Sequence, residues 1–319
     1  MIANYRDALG EAFVKLGSEF PDLVVVTADV SKSTRSIKFK QEYPSRFYSV
    51  GIAEANAVGI SAGIATFGSP VLFTAYAIFA TEKPFEQIRN MIAYPRLNVT
   101  IVATHGGINV GEDGVTHQAI EDIAIMRAIP GMRVLTVADP GELYAAVRAA
   151  VAHNGPVYVR IPRAPYEVIH EDSDAVDFVI GKAEVLREGT DVTLIAAGMM
   201  VWKSLQAAEQ LARDGISARV VNIRSIKPLD EAVVLAACKE TGAIVTVEDH
   251  NRIGGLGGAI CEFVSTHQPV PVEIVAVNDE FAESGNGYEI LDKYGLHTDA
   301  IVSRARTAVG RKAVKGDIA

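Results

Sequence analysis

Short apolar runs rich in β-branched residues alternate along the chain with helix-length stretches, and this alternation constrains the fold more than any other feature. The predicted strands are Leu23–Thr27, Pro70–Phe73, Val99–Thr104, Arg133–Val137, Pro156–Arg160, Asp191–Ala197, Ala218–Ile223, Ala243–Glu248 and Val272–Val277. The predicted helices include Tyr5–Gly17, Glu54–Thr66, Glu142–His153, Ser204–Asp214 and Leu256–Thr266. Strands that are apolar on both faces are typical of parallel sheets covered by helices on both sides. The 319 residues are therefore predicted to form an α/β protein of two domains, each a mostly parallel sheet covered by helices.

The distribution of charge indicates the boundary between the domains. Residues 1–165 contain fifteen basic and fifteen acidic residues, whereas residues 166–319 contain fifteen basic and twenty-four acidic ones, which accounts for the net charge of −9. The stretch EVIHEDSDAVDF (167–178) is acidic and poor in large apolar residues, as is typical of a surface linker. We predict a first domain at 1–165, an acidic linker at 166–177 and a second domain at 178–319.

Composition and charge exclude several classes of protein. A net charge of −9 leaves no basic stripe to neutralise phosphates, so no nucleic-acid partner is expected. Residues 55–80 carry no charge and are long enough to cross a bilayer, but Gly68-Ser69-Pro70 reads as a turn between a buried helix and a buried strand. The first residues are charged where a signal peptide would be apolar, so we expect a cytoplasmic protein with no membrane segment.

A glycine-rich turn, Gly254-Gly255-Leu256-Gly257-Gly258, follows a predicted strand and opens a predicted helix. An anion could bind at such a helix N-terminus. The spacing is not that of a dinucleotide-binding fingerprint, and close packing of the helix on the strand is the favoured interpretation.

The stretch THGGINVGEDGVTHQ (104–118) is the strongest candidate for a functional site. It leaves the end of a predicted strand, which is where open α/β sheets bind ligands. His105 and His117 share this glycine-rich loop with the acidic pair Glu112-Asp113, and such groups could hydrogen-bond a polyhydroxylated substrate and move protons. The alternative is a structural turn whose polar residues cap the next helix.

Glu54 is a second candidate because it stands at the edge of the long uncharged segment. A carboxylate there could simply favour the N-terminus of a helix, or it could be a buried acid suited to proton transfer. The residues alone leave both alternatives open. Phe73, Tyr76 and Phe79 lie three residues apart, and aromatic residues at such spacing usually belong to the core.

Four segments together resemble the C-terminal half of transketolase: GIAEANAVGISAG (51–63), FTAYAIF (73–79), THGGINVGEDGVTHQAIED (104–122) and IPGMRVLTVADPGEL (129–143). The resemblance covers nearly the whole chain, as a pyrimidine-binding domain followed by a transketolase C-terminal domain. GEDGxTHQ with a histidine twelve residues before His117 is its most specific part. The resemblance implies a thiamine-diphosphate-dependent transfer of a two-carbon ketol unit from a ketose phosphate to an aldose.

The resemblance also implies cofactor-binding roles for particular residues. Glu54 corresponds to the catalytic glutamate that hydrogen-bonds N1′ of the cofactor's aminopyrimidine. Phe73, Tyr76 and Phe79 correspond to the aromatic pocket around that ring. Asp29 matches an aspartate near the cofactor and the dimer interface.

Substrate binding is implied for a second set of residues. In the family, two histidines and an aspartate hold the hydroxyls of the donor. The matching residues here are His105, Asp113 and His117, and the two histidines would also act catalytically. The residues matching the ligands of the acceptor phosphate are Arg6, Ser33 and Arg163, and an arginine fork suits a phosphate.

Two departures from the family pattern affect these expectations. Ala53-Glu54-Ala55 stands where transketolases have Arg-Glu-His and is closer to deoxyxylulose phosphate synthase. Nothing resembles the GDG…N motif for magnesium and diphosphate, since the only Asp-Gly pairs are Asp113-Gly114 and Asp214-Gly215. The resemblance therefore implies one subunit of a split transketolase with no metal ligand of its own. An N-terminal subunit carrying GDG…N would hold magnesium and diphosphate, and two copies of this chain would pair within an α2β2 complex.

Three alternatives remain at this point. The β subunit of a 2-oxo acid dehydrogenase E1 has a similar length and domain order, but the GEDGxTHQ loop favours a sugar substrate. A deoxyxylulose phosphate synthase half usually has GADG there and lacks the equivalent of His105. A non-catalytic interaction module that retains the fold would not need Glu54, the two histidines and Asp113 together.

Overall fold

The computed structural model describes residues 1–313. The strands are β1 Ile2–Ala3, β2 Val24–Thr27, β3 Phe47–Ser49, β4 Val71–Tyr76, β5 Val99–Thr104, β6 Arg133–Thr136, β7 Val157–Arg160, β8 Tyr166–Glu167, β9 Glu184–Arg187, β10 Val192–Ala196, β11 Ala218–Asn222, β12 Ser225–Lys227, β13 Ile244–Asn251 and β14 Val272–Val277. The helices are α1 Tyr5–Glu19, α2 Ile37–Glu42, α3 Glu54–Ala65, α4 Ala77–Thr81, α5 Phe85–Gln87, α6 Asp122–Ala128, α7 Leu143–Ala152, α8 Met200–Arg213, α9 Glu231–Ala236, α10 Leu256–His267, α11 Gly287–Lys293 and α12 Thr298–Ala313. Short π-helical turns continue α5 at Ile88–Ala93 and α9 at Ala237–Thr241.

Two mostly parallel sheets organise these elements. The first has the order β12-β6-β7-β5-β4-β2-β3, in which every pair is parallel except β12 with β6. The second has the order β14-β13-β10-β11-β9, in which only β9 pairs antiparallel. The fold class predicted from the sequence is confirmed, and each predicted strand and helix corresponds to an observed element with ends that differ by a few residues.

Strand β12 was not predicted, and it joins the two halves of the chain. Its three residues come from the second half but pair with β6 at the edge of the first sheet, and the backbone N–H of Thr136 donates to Arg224 O at 3.0 Å. A strand this short has no apolar run of its own to mark it. Only its tertiary partner makes it a strand.

The predicted acidic linker is more structured than expected. Strand β8 pairs antiparallel with β1, so residues 166 and 167 close a small sheet with the start of the chain. His170 is half-buried and lies between Asp139 of the first domain and Glu184 of the second, at 2.8 and 2.9 Å. Glu171, Asp172, Asp174 and Asp177 are exposed, so within this stretch it is His170, and not the acidic residues, that joins the two domains.

The uncharged segment forms helix α3, a turn, and the buried strand β4. The helix is buried on one face only, since Ala55, Asn56 and Gly63 are exposed. Gly68 in that turn has φ +92°, a conformation that glycine adopts without strain. Within the part of the chain that the structure describes, no helix is long and apolar enough to cross a membrane.

The glycine-rich turn packs α10 closely on β13. The carboxylate of Glu248 accepts hydrogen bonds from the backbone N–H groups of Leu256 and Gly257, at 2.6 and 2.8 Å. A Cβ at Gly255 would lie 2.1 Å from Glu248 Oε2. The protein's own carboxylate thus occupies the N-terminus of α10, and the close-packing interpretation is confirmed.

Candidate active site

His105 follows β5 directly and has an uncommon backbone conformation. Its φ of +65° lies in the left-handed region, which costs a non-glycine residue about 1–3 kcal/mol. His105 is 2% exposed, its Nδ1 lies 2.8 Å from Thr104 Oγ1, and its ring centroid lies 4.0 Å from that of Tyr76. Burial, together with the charges of Arg163 and Arg6, lowers the pKa of His105 to about 3. The imidazole is therefore neutral at physiological pH and can both donate and accept hydrogen bonds.

His117 lies in a 3₁₀ turn, Val115–His117, and faces the same aromatic side chains. Its ring centroid is 5.2 Å from that of Phe79, edge-on, and 6.1 Å from that of Tyr76. The rings of Tyr76 and Phe79 are themselves 6.1 Å apart. We call Tyr76, Phe79, His105 and His117 the ring cluster. The structure thus brings together both predicted histidines and two of the three predicted aromatic residues.

Phe73 does not join the ring cluster. It is fully buried in the core, whereas Tyr76 and Phe79 are partly exposed. Residues 73 and 76 are an odd number of positions apart on β4, so their side chains point to opposite faces of the sheet. The implied place of Phe73 in a cofactor pocket is not supported, because its ring offers no free surface to a ligand.

Glu54 is the first residue of α3 and is only 6% exposed. Lys83 Nζ lies 3.2 Å from Glu54 Oε2 and 4.7 Å from the centroid of the Phe79 ring. A role at the helix end alone would not require burial of the carboxylate, since a solvated acid interacts with the helix dipole as well. Lys83 was not predicted, and it connects the carboxylate to the ring cluster.

Two arginines give this site a positive side. Arg163 donates from Nη1 to Val110 O at 2.7 Å, and its Nε lies 3.8 Å from Asp113 Oδ2. Burial and the charges of Arg163 and Arg35 lower the pKa of Arg6. The buried Nε atoms of Arg6 and Arg163 have no hydrogen-bond partner among residues 1–313. Both side chains are partly exposed, so the accessible part of each guanidinium can serve an anionic ligand.

The remaining two predicted residues lie on the loop between β2 and α2. Asp29 is exposed and has φ +61°, while Ser33 is partly buried. Arg35 of the same loop pairs with Asp7 of α1 at 2.9 Å. No hydrogen bond joins Asp29 or Ser33 to the ring cluster within the described residues.

These side chains fit one part of thiamine diphosphate. A buried carboxylate beside a partly exposed aromatic ring can hydrogen-bond and cover a flat heterocycle such as an aminopyrimidine. Across residues 1–313, a single group of acidic, histidine and cysteine side chains has metal-ligand spacing: Glu142, His170 and Glu184. Arg224 pairs with both of these glutamates, so this group is an ion-pair network between the domains.

A buried network behind the histidine loop was missed by the sequence analysis. Arg160 donates from Nε to Asp122 at 2.8 Å and from Nη2 to the backbone oxygens of Ala119 and Asp249. Tyr158 donates to the same Asp122 carboxylate at 2.5 Å. Tyr158 and Arg160 lie two residues apart on β7, but Asp122 and Asp249 come from other elements, so no local spacing in the sequence marks the network.

Comparison with known proteins identifies the family of both domains. Residues 2–168 match the transketolase pyrimidine binding domain, and residues 181–301 match the transketolase C-terminal domain. An apulose-4-phosphate transketolase subunit of Phocaeicola vulgatus is 40% identical over 94% of this chain and 96% of its own length. The 6-deoxy-6-sulfo-D-fructose transketolase subunit SqwH of a Clostridium species is 39% identical over 96% of this chain and 95% of its own length.

A solved structure gives the same result. It is described as a split gene transketolase in an inactive β4 tetramer, with a TM-score of 0.90 and 44% identity over 96% of this chain and 98% of that one. The chain therefore belongs to the transketolase family. Within that family it corresponds to the C-terminal section, made of the pyrimidine-binding and C-terminal domains, which split relatives carry as a separate subunit.

Proposed function

We propose that this chain is the C-terminal subunit of a split, thiamine-diphosphate-dependent transketolase that moves a two-carbon ketol unit from a ketose phosphate to an aldose. The observation that carries the proposal is the ring cluster, which places two histidines beside the Glu54–Lys83 pair and the arginines. The named relatives, which are transketolase subunits over nearly their full length, support it.

Glu54 is proposed to act on the cofactor. Bound thiamine diphosphate supplies the electron sink for cleaving and forming the carbon–carbon bond. Glu54 would hold a proton against N1′ of the aminopyrimidine, with Lys83 fixing the orientation of the carboxylate. The burial of Glu54, which is 6% exposed, would strengthen that hydrogen bond, because the surroundings are less polar than water.

The histidine loop is proposed to hold the sugar. His105 Nδ1 is bound to Thr104 Oγ1, which leaves Nε2 of the neutral ring to donate to or accept from a hydroxyl of the sugar. The His117 ring lies 6.1 Å from that of Tyr76 and would contact a second hydroxyl. The Asp113 side chain is 39% exposed, so its carboxylate can accept from a donor hydroxyl. Arg6 and Arg163, with Ser33, would bind the acceptor phosphate.

The rest of the assembly is also part of the proposal. An N-terminal partner subunit carrying GDG…N would hold magnesium and the diphosphate, and two copies of each subunit would form an α2β2 heterotetramer in the cytoplasm. Asp29 would lie near the cofactor and the contact between copies. The proposed division of the chain is a first domain at 1–165, a linker at 166–177 and a second domain at 178–319.

The principal alternative, an E1 β subunit, is disfavoured. The named relatives are transketolase subunits, and a loop with two histidines and Asp113 suits several hydroxyls better than the single carboxylate of a 2-oxo acid. A non-catalytic module does not account for a buried Glu54 paired with Lys83.

Replacing Glu54 by Gln in the reconstituted two-subunit complex tests the proposed role. Glutamine keeps the shape but cannot share the proton at N1′, so turnover should fall by roughly 10²–10⁴-fold, the usual scale of acid–base catalysis. Glu86→Gln is the matched control, because Glu86 is an exposed acid of the neighbouring helix. Near-normal turnover of Glu54→Gln at saturating cofactor would contradict the catalytic role and leave Glu54 only the role of an acid at a helix N-terminus.

A further inference from the structure

The loop that carries His105 is held in part by a side chain from the other domain. Three consecutive N–H groups after His105 are anchored on three different segments. Gly106 donates to Ile161 O at 3.1 Å, Gly107 donates to Ala119 O at 2.8 Å, and Ile108 donates to Asp249 Oδ1 at 3.0 Å. The third anchor is the only side chain, and it comes from β13 of the C-terminal domain.

Asp249 is packed against the loop with no spare room. It is 3% exposed, and a Cβ at Gly107 would lie 1.8 Å from its Oδ2. That oxygen has no hydrogen-bond partner among the described residues. Burial raises the pKa of Asp249, while Arg160 and the Ile108 hydrogen bond act in the opposite direction. The carboxyl group therefore packs directly against the backbone of the loop.

Other contacts hold the same loop to the second domain. Gln118 donates from Nε2 to Ile108 O at 3.2 Å and to Glu283 O at 3.0 Å. Ile108 thus has its N–H fixed by Asp249 and its oxygen fixed by a side chain that also binds the C-terminal domain. Arg160 completes the arrangement by donating to Asp249 O at 2.7 Å.

We infer that Asp249 is a positioning residue for donor binding: from the C-terminal domain, it holds His105 in its strained left-handed conformation. His105 with φ +65° would relax toward an ordinary backbone conformation if its neighbours were free. The C-terminal domain would thereby set the orientation of the substrate-binding histidine, although Asp249 itself would not contact the substrate. This inference rests on the proposed function of the loop.

Kinetics of the reconstituted complex provide the first test. In Asp249→Ala, the KM for the ketose phosphate donor should rise about 10-fold or more, with kcat within about 3-fold and thiamine diphosphate affinity unchanged. Asp249→Asn keeps an oxygen acceptor for the Ile108 N–H and should restore a KM close to that of the wild type. A donor KM unchanged in Asp249→Ala would overturn the inference.

Glu248→Ala is the matched control, because Glu248 is the preceding buried acid of β13 and binds α10 rather than the loop. It should lower thermal stability without changing the donor KM. If Glu248→Ala raised the donor KM as much as Asp249→Ala does, general damage to β13 would explain both, and the positioning role would be refuted.

Amide hydrogen exchange provides a test that does not depend on activity or on the folding of a variant. In the unmodified full chain, the Ile108 N–H should exchange at least 10-fold more slowly than the amides of the exposed residues Asp113, Val115 and Thr116. Where Asp249→Ala folds, this protection should fall while that of α10 persists. A fast-exchanging Ile108 amide in the wild type would contradict the inference. Absence of ketol transfer in the wild-type complex, with Ile108 still protected, would instead count against the proposed function alone.

Discussion

The interdomain histidine, His170, makes the stability of the chain depend on pH in a defined direction. Its Nδ1 lies 2.8 Å from Asp139 Oδ1 and its Nε2 lies 2.9 Å from Glu184 Oε2. Burial alone would lower the pKa of His170, but the hydrogen bonds and charges of Asp139 and Glu184 outweigh it and raise the pKa to about 10. The imidazolium is therefore the form that joins the two domains.

The sign follows from the two protonation states. In the unfolded chain a histidine has a pKa of about 6.5. The stabilisation is therefore fully present below about pH 6.5 and is lost as the pH rises towards the folded value of about 10. Each unit of pKa corresponds to about 1.4 kcal/mol. Since the Glu184 side chain is 30% exposed and partly screened by solvent, we expect a net effect on the order of 2–4 kcal/mol.

Urea denaturation between pH 6 and pH 10, at one fixed protein concentration, measures this effect. The free energy of unfolding of the wild type should exceed that of His170→Gln by the full amount at pH 6, and the difference should shrink steadily towards pH 10. His267→Gln is the control, because His267 is an exposed histidine at the end of α10. A difference between wild type and His170→Gln that stays constant across this range would refute the reasoning.

Two further predictions concern the histidine loop. Asp113→Ala should lower kcat/KM for the ketose phosphate by roughly 10-fold, about 1.4 kcal/mol, with little change in cofactor binding. Glu112 is the adjacent and more exposed acid, and Glu112→Ala should change kcat/KM by less than about 3-fold. Equal losses of kcat/KM in the two variants would contradict a specific role for Asp113. Because the pKa of His105 is lowered to about 3, this histidine stays neutral from pH 5 to pH 9. The pH profiles of kcat/KM for wild type and His105→Gln should therefore run parallel over that range, and a titration near pH 6.5 present only in the wild type would show that His105 becomes charged.

The periodicity of the sequence was sufficient to predict the central strands of both large sheets, because buried parallel strands require continuous apolar runs. The short strands β1, β3, β8, β9 and β12 were not predicted. Strands such as β5 and β14 have the predicted ends, since their composition differs sharply from that of the flanking turns. The histidine loop was predicted for a related reason. Its titratable groups are close together in sequence and directly follow a strand.

The contacts that were missed are all long-range. Lys83 and Glu54 are 29 positions apart in the sequence, and Asp249 and Ile108 are 141 apart. No local sequence pattern predicts either contact. Phe73 was grouped with Tyr76 by its spacing, although an odd separation on a strand sends the two rings to opposite faces. His170 looked like part of a solvated acidic stretch because its partners lie on other elements.

Transfer of a labelled two-carbon unit tests the central claim most directly. The reconstituted complex would receive a ketose phosphate carrying ¹³C at its first two carbons, together with an unlabelled aldose, and the products would be analysed by mass spectrometry. The proposed function predicts a product ketose two carbons longer than the aldose and carrying both labels. Pyruvate and branched-chain 2-oxo acids, tested in parallel, should not replace the ketose donor. Decarboxylation of a 2-oxo acid with no labelled transfer from any sugar phosphate would contradict the proposed function.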